Sequence, residues 1–174
     1  MMSRSVSILI VIVVFAACTK LTDEELWNEG VQAQKQDKFD ESLKNYEQLL
    51  TDYPKSPKVP EALYAIATIC QNQKRDFGRA IWAYRRIVQE YPTHATASGS
   101  LFLIGFLYNN ELKNIDSAKA AYSEFLQKYP DSPMASSAKF ELANLGKDPS
   151  ELIDVKPEPL AKAPKETSKK STKK

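Results

Sequence analysis

Histidine, cysteine and glycine are scarce in this 174-residue sequence, at one, two and five residues. One histidine and two cysteines cannot fill a four-ligand zinc site of the Cys/His type, so no such metal centre is expected. A disulfide scaffold is excluded by the same count. So few glycines cannot furnish a Gly-rich phosphate loop or a turn-rich β-protein. A surplus of either charge is also missing: 24 Lys and Arg face 22 Asp and Glu, a net +2. Nucleic-acid binding draws on a strongly basic surface, so no nucleic-acid partner is expected. No Ser-centred nucleophile elbow or two-histidine metal motif occurs, and the lone His94 falls in a seam between repeats. The chain reads as a non-enzyme, with no catalytic residue, cofactor or metal. What it does have is 43% apolar residues, enough for a core over part of its length.

Three segments differ in chemistry. The first holds Arg4 as its one positive charge and then a ten-residue run, Val6 to Phe15, apolar but for Ser7. As a helix that run spans only about 15 Å, half the hydrocarbon thickness, so a membrane span is not expected. The run ends in Phe15-Ala16-Ala17-Cys18, which resembles the lipobox of bacterial lipoproteins, with Phe15 where an aliphatic residue is usual. The resemblance implies a signal peptide over 1–17, acylation of Cys18, and a short lipid-anchored linker over 18–21. Thr19 stands where an inner-membrane-retention Asp would be; that implies the outer membrane, periplasmic face. The alternative is a signal peptide or short anchor with an incidental Cys18. Several acyl chains anchor stably where one holds weakly.

The second segment is repetitive. Tyr-Pro recurs at Tyr53-Pro54, Tyr91-Pro92 and Tyr129-Pro130, at a spacing of 38. Before each lie a small residue (Ser42, Ala80, Ala118), an aromatic (Tyr46, Tyr84, Tyr122) and large apolar pairs (Leu49-Leu50, Ile87-Val88, Phe125-Leu126). Offsets of 0, +4, +7 and +8 trace one face of an α-helix. The proline stops each helix, because the residue before it disfavours the α region. A second helix is expected before each of these, over 22–36, 57–73 and 95–110. Ser56-Pro57 and Ser132-Pro133 read as N-cap serines with proline first in the helix. At the middle seam the cap is assigned to Thr93. Cys70 lies in an apolar helical stretch and reads as a buried small hydrophobe.

This pattern resembles the tetratricopeptide repeat (TPR) family. Gly30, Ala67 and Gly105 match the small position of its helix A, and Ser42, Ala80 and Ala118 that of its helix B. The departure is length, 38 residues against about 34, with one extra residue in the second and third A–B turns. Within TPR proteins the long Tyr-Pro-x-Ser-Pro seam is similar to bacterial envelope lipoproteins of the BamD family of outer-membrane barrel assembly. It is also similar to the C-terminal TPR domain of the CpoB (YbgF) family. The resemblance implies an all-α TPR solenoid over 22–146, with repeats at about 22–54, 57–92 and 95–130 and a capping helix over 133–145 ended by Gly146.

It further implies a non-covalent scaffold, with an envelope protein or peptide held along the concave faces of the A helices. Transferred residue by residue, that groove takes Trp27, Val31 and Gln34, then Tyr64, Thr68, Gln71 and Asn72, then Phe102, Phe106, Asn109 and Asn110. The alternative places the aromatics in the inter-repeat core. The expected roles are outer-membrane protein assembly, or coordination of envelope and peptidoglycan processes in the Tol–Pal manner, or a generic adaptor. The third segment, 147–174, is rich in Pro and Lys, with six lysines against one glutamate over 161–174. Its composition reads as a disordered tail, either a soluble spacer or a weak electrostatic contact with anionic envelope components.

Overall fold

The computed structural model describes residues 20–147, so Cys18 and the Lys-rich tail lie outside the described residues. Seven α-helices and no strand occur among them: α1 Asp23–Lys35, α2 Phe39–Asp52, α3 Val59–Ile69, α4 Phe77–Glu90, α5 Ala97–Phe106, α6 Ile115–Lys128 and α7 Ala135–Asn144. The chain is a series of TPR-type helix pairs. It divides into two compact units within α5, after Ser100. In the first, α1 packs on α2, and α3 packs on both α2 and α4. In the second, α6 packs on α7.

The B helices α2, α4 and α6 each have 14 residues and recur at the 38-residue period. Their stripes are the core: Ser42, Ala80 and Ala118, then Tyr46, Tyr84 and Tyr122, then Leu49, Ile87 and Phe125 are all essentially inaccessible to solvent. Each helix ends at the tyrosine of Tyr-Pro, whose N–H closes on the carbonyl four residues back, as in Tyr53 N to Leu49 O at 2.9 Å.

α1 opens with a capping box. Thr22 Oγ1 accepts from Glu25 N at 3.2 Å, and Thr22 N donates to Glu25 Oε2 at 2.8 Å. The two bonds satisfy two helix-end groups at once, and the bonds that the Glu25 carboxyl accepts from the Thr22 N–H and the Thr22 hydroxyl hold it below the usual carboxylate range.

The seams correct the expected starts of the A helices. α3 begins at Val59 and α7 at Ala135, so Ser56-Pro57 and Ser132-Pro133 form a turn before each helix rather than its first residues. In that turn Ser56 Oγ accepts from Lys58 N at 3.1 Å and Ser132 Oγ from Met134 N at 3.3 Å. At the middle seam the acceptor is His94 Nδ1, 3.3 Å from Thr96 N, not Thr93. An imidazole nitrogen fills the place of the serine hydroxyl because both put an acceptor two residues ahead of an N–H. The first seam is also tied back to α1: Ser56 Oγ meets Asp23 Oδ2 at 2.5 Å and Tyr53 Oη donates to Leu21 O at 2.7 Å.

The extra residue of repeats two and three sits at the end of helix A. In repeat one, Lys38 N–H closes on Ala33 O, five residues back. In the others Asp76 N–H reaches Cys70 O and Asn114 N–H reaches Tyr108 O, six back. The added residue widens the last turn of helix A into a π turn, over Cys70–Lys74 and Leu107–Glu111. All three turns then pass through a left-handed residue at the same register: Asp37, Arg75 and Lys113, with φ of 58°, 55° and 53°. α7 ends at Asn144, short of the expected stop at Gly146; Leu145 leaves the helix in an extended conformation and Gly146, at φ 75°, sits in the turn closed by Lys147 N on Asn144 O at 3.1 Å.

Candidate functional site

Each repeat carries the same local feature, one aromatic on its A helix and the tyrosine of the B helix that follows. The rings pair within each repeat: Trp27 with Tyr46 at 5.3 Å, Tyr64 with Tyr84 at 5.7 Å, and Phe102 with Tyr122 at 5.4 Å between centroids. The tyrosines are fully buried, while Trp27, Tyr64 and Phe102 are half-exposed. Each A-helix aromatic is thus braced from below and open above. A braced ring loses little freedom on binding, which favours it as an anchor.

In repeats one and three the tyrosine fills a gap in helix A. A Cβ at Gly30 would lie 2.5 Å from the Tyr46 ring, and one at Gly105 would lie 2.7 Å from the Tyr122 ring. These glycines let the tyrosine lie against bare backbone. In repeat one Ser42 Oγ adds a bond to Gly30 O at 2.8 Å, fastening the two helices where they come closest.

Two of the expected amides are already engaged. Tyr46 Oη donates to Gln34 Oε1 at 3.2 Å, and Tyr84 Oη donates to Gln71 Oε1 at 3.1 Å. The carboxamide oxygens at these positions therefore serve the helix pair. The third repeat has Asn109 in that place, one methylene shorter, and the buried Tyr122 Oη has no hydrogen-bond partner among the described residues. Burial raises the phenol pKa of both Tyr84 and Tyr122, so each hydroxyl keeps its proton and must act as a donor. An orphaned buried hydroxyl costs about 1–3 kcal/mol. Asn109→Gln is therefore expected to stabilise the protein by about 1 kcal/mol and to raise Tm by roughly 3–5 °C. A thermal melt unchanged or lowered by this substitution would show that the third repeat does not share the tyrosine–glutamine arrangement.

The other expected groove residues fall as follows. Val31 and Thr68 are half-buried, and Thr68 Oγ1 donates within its own helix to Ala65 O at 2.9 Å. Asn72 is exposed, Phe106 is 36% exposed, and Asn110 Nδ2 donates to Phe106 O at 3.1 Å. Lys58 lies 5.7 Å from the Trp27 ring and 3.6 Å from Glu24, covering part of the indole with a cation. Cys70 is buried, and burial first and Asp76 second push its thiol up to about 11, which leaves too little thiolate at neutral pH for a nucleophile.

Sequence reasoning missed Trp82. It projects from α4 with 48% of its surface exposed, in a shallow recess with Leu50, Thr51 and the Glu47–Arg79 ion pair. Arg86 stacks 5.3 Å from its ring and is itself held bidentately by Glu90 at 2.7 and 2.9 Å. The signal was available: its counterparts at the 38-residue period are Lys44 and Ala120, an exterior register in which tryptophan is out of character.

Among the described residues no helix is long and apolar enough to cross a membrane, and no group of three or more His, Cys, Asp or Glu is placed to hold a metal ion. No curated protein matches the chain. The family model of YfiO, described as outer membrane lipoprotein, matches residues 19–148, which spans every helix above and starts one residue after Cys18. That match supports the resemblance to BamD, and nothing comparable supports the one to CpoB. The chain belongs to the YfiO, BamD-like family of outer membrane lipoproteins.

Proposed function

We propose that the protein is a lipid-anchored periplasmic scaffold of outer-membrane protein assembly. It holds an envelope protein or peptide against the A helices. The observation that carries this reading is the recurrence of a half-exposed aromatic, braced by a buried tyrosine, at the same place in each repeat. Nothing in the packing of a helix pair requires the outer ring edge to stay open. The membership of an outer membrane lipoprotein family supports the setting. In this reading Cys18 carries the acyl chains, and only 19–22 separate it from the first helix, so the partner is held close to the membrane surface. The Lys-rich tail adds a screened attraction to anionic envelope components rather than an anchor, since it contains no aromatic residue.

The test begins with cross-linking in membranes to recover the partner, followed by titration of variants against it. Tyr64→Ala is expected to weaken binding about thirtyfold, the roughly 2 kcal/mol of an aromatic hot spot. Circular dichroism must first show that the variant folds, since the Tyr64 ring also packs on Tyr84. Removal of 149–174 is expected to change mainly the salt dependence of association. Normal binding by folded Tyr64→Ala, with binding lost on tail removal, would move recognition to the tail.

A further inference from the structure

α7 repeats helix A, and no helix B follows it among the described residues. Phe140 stands at the 38-residue period after Phe102, and Ala143 stands at the same period after Gly105. Three times in this chain such a ring is covered by the tyrosine of the next helix, at 5.3–5.7 Å. The fourth ring has no such cover among the described residues. Phe140 is 58% exposed, the most of any large apolar side chain described, and Ala143 beside it is exposed too. The other side of α7 is spent in the fold, with Ala135 and Ala138 buried where it packs on α6. α7 therefore has one face in use and one open, and the open face is the face that α1, α3 and α5 give to their B helices.

The sequence does not offer a helix B at the repeat's spacing. The stretch in register with α6 is 153–166, and it has prolines at 157, 159 and 164. A helix interior rejects proline, which removes a hydrogen bond and clashes with the preceding turn. We propose that α7 is completed in trans by an amphipathic helix of a partner protein. That helix has the chemistry of this chain's own B helices: a small residue, a tyrosine four residues later, and large apolar residues three and four beyond it. The tyrosine lies over Phe140 and against Ala143, as Tyr122 lies over Phe102 and against Gly105. The helix-pair interface already built three times thus continues into a second molecule. Phe140 and Tyr64 are on different helices and are tested by different variants and probes, so either proposal can fail alone.

A peptide with the α6 sequence, residues 114–130 of this chain, is the probe because it carries the required stripe in its native form. Titrated against the full chain by fluorescence anisotropy, it is expected to saturate in the micromolar range. Phe140→Ser is expected to weaken binding at least tenfold without lowering Tm, since so exposed a ring contributes little to folding. The same peptide with Ala in place of its tyrosine is expected to weaken equally, and the two changes together are expected to be less than additive. Absence of binding, or binding unaffected by Phe140→Ser, would overturn the proposal. So would a full chain that dimerises in sedimentation and becomes monomeric on Phe140→Ser, because the face would then be filled by a second copy.

Discussion

Gly105→Val is expected to cost about 3 kcal/mol of stability, while Gly99→Ala, six residues earlier in the same helix, is expected to gain about 0.5–1 kcal/mol. Both replace a glycine of α5, and a helix-propensity argument alone would favour both. The neighbours decide the sign. At Gly105 an added Cβ would lie 2.7, 2.8 and 2.9 Å from three atoms of the Tyr122 ring. That ring has no room to retreat, since it is fully buried and paired with Phe102, which is itself 6.0 Å from the Phe125 ring. At Gly99 nothing lies within 4 Å of the added atom. Ala67 holds the corresponding place in repeat two, where the Tyr64–Tyr84 pair is T-shaped at 5.7 Å instead of tilted at 5.3–5.4 Å. Gly105→Ala should therefore fall between the two. Urea unfolding of the three variants measures the order. Equal midpoints for Gly105→Val and the unaltered protein would mean that α5 and α6 are not paired through this contact.

Cys18→Ser is expected to release the protein from the membrane fraction almost completely. The Phe-Ala-Ala-Cys junction motivates the substitution, and the setting is that of a family of outer membrane lipoproteins. Each buried methylene of an acyl chain contributes about 0.8 kcal/mol to membrane affinity, so losing two or three chains removes far more than any surface contact could replace. The Lys-rich tail cannot substitute, because its attraction falls off within a Debye length of roughly 10 Å. Fractionation in low and in 0.5 M salt (about 4 Å of screening) separates the two contributions. A variant still in the membrane pellet at high salt would refute acylation at this residue.

The B helices were legible because their features all repeat at one spacing. Tyr46, Tyr84 and Tyr122, the small residues before them and the Tyr-Pro stops mark one helix face and one end. The start of α3 and α7 was not, since Ser-Pro is equally suited to a cap and to the turn before a cap; the choice rests on where backbone hydrogen bonds close. His94 escaped because sequence comparison matches residue types, and an imidazole standing in for a hydroxyl breaks that match. The roles of Gln34 and Gln71 depended on side-chain reach across a helix pair, which a spacing rule does not contain. Phe140 lay at the right period all along. Its meaning came only from seeing the first three rings covered and the fourth open.

The π turns carry a consequence for the gene. One residue inserted into a regular helix rotates everything after it by about 100°, enough to swing a buried side chain out to solvent. In repeats two and three the added residue is taken up inside a single hydrogen-bonded ring, Cys70 to Asp76 or Tyr108 to Asn114, and the B helix that follows keeps its phase. A codon can be gained or lost at the end of an A helix while Tyr84 and Tyr122 stay in their seats. The same change inside α4 or α6 would unseat them. Within a helix pair, variation in length is therefore confined by hydrogen-bond geometry to the short window where helix A ends.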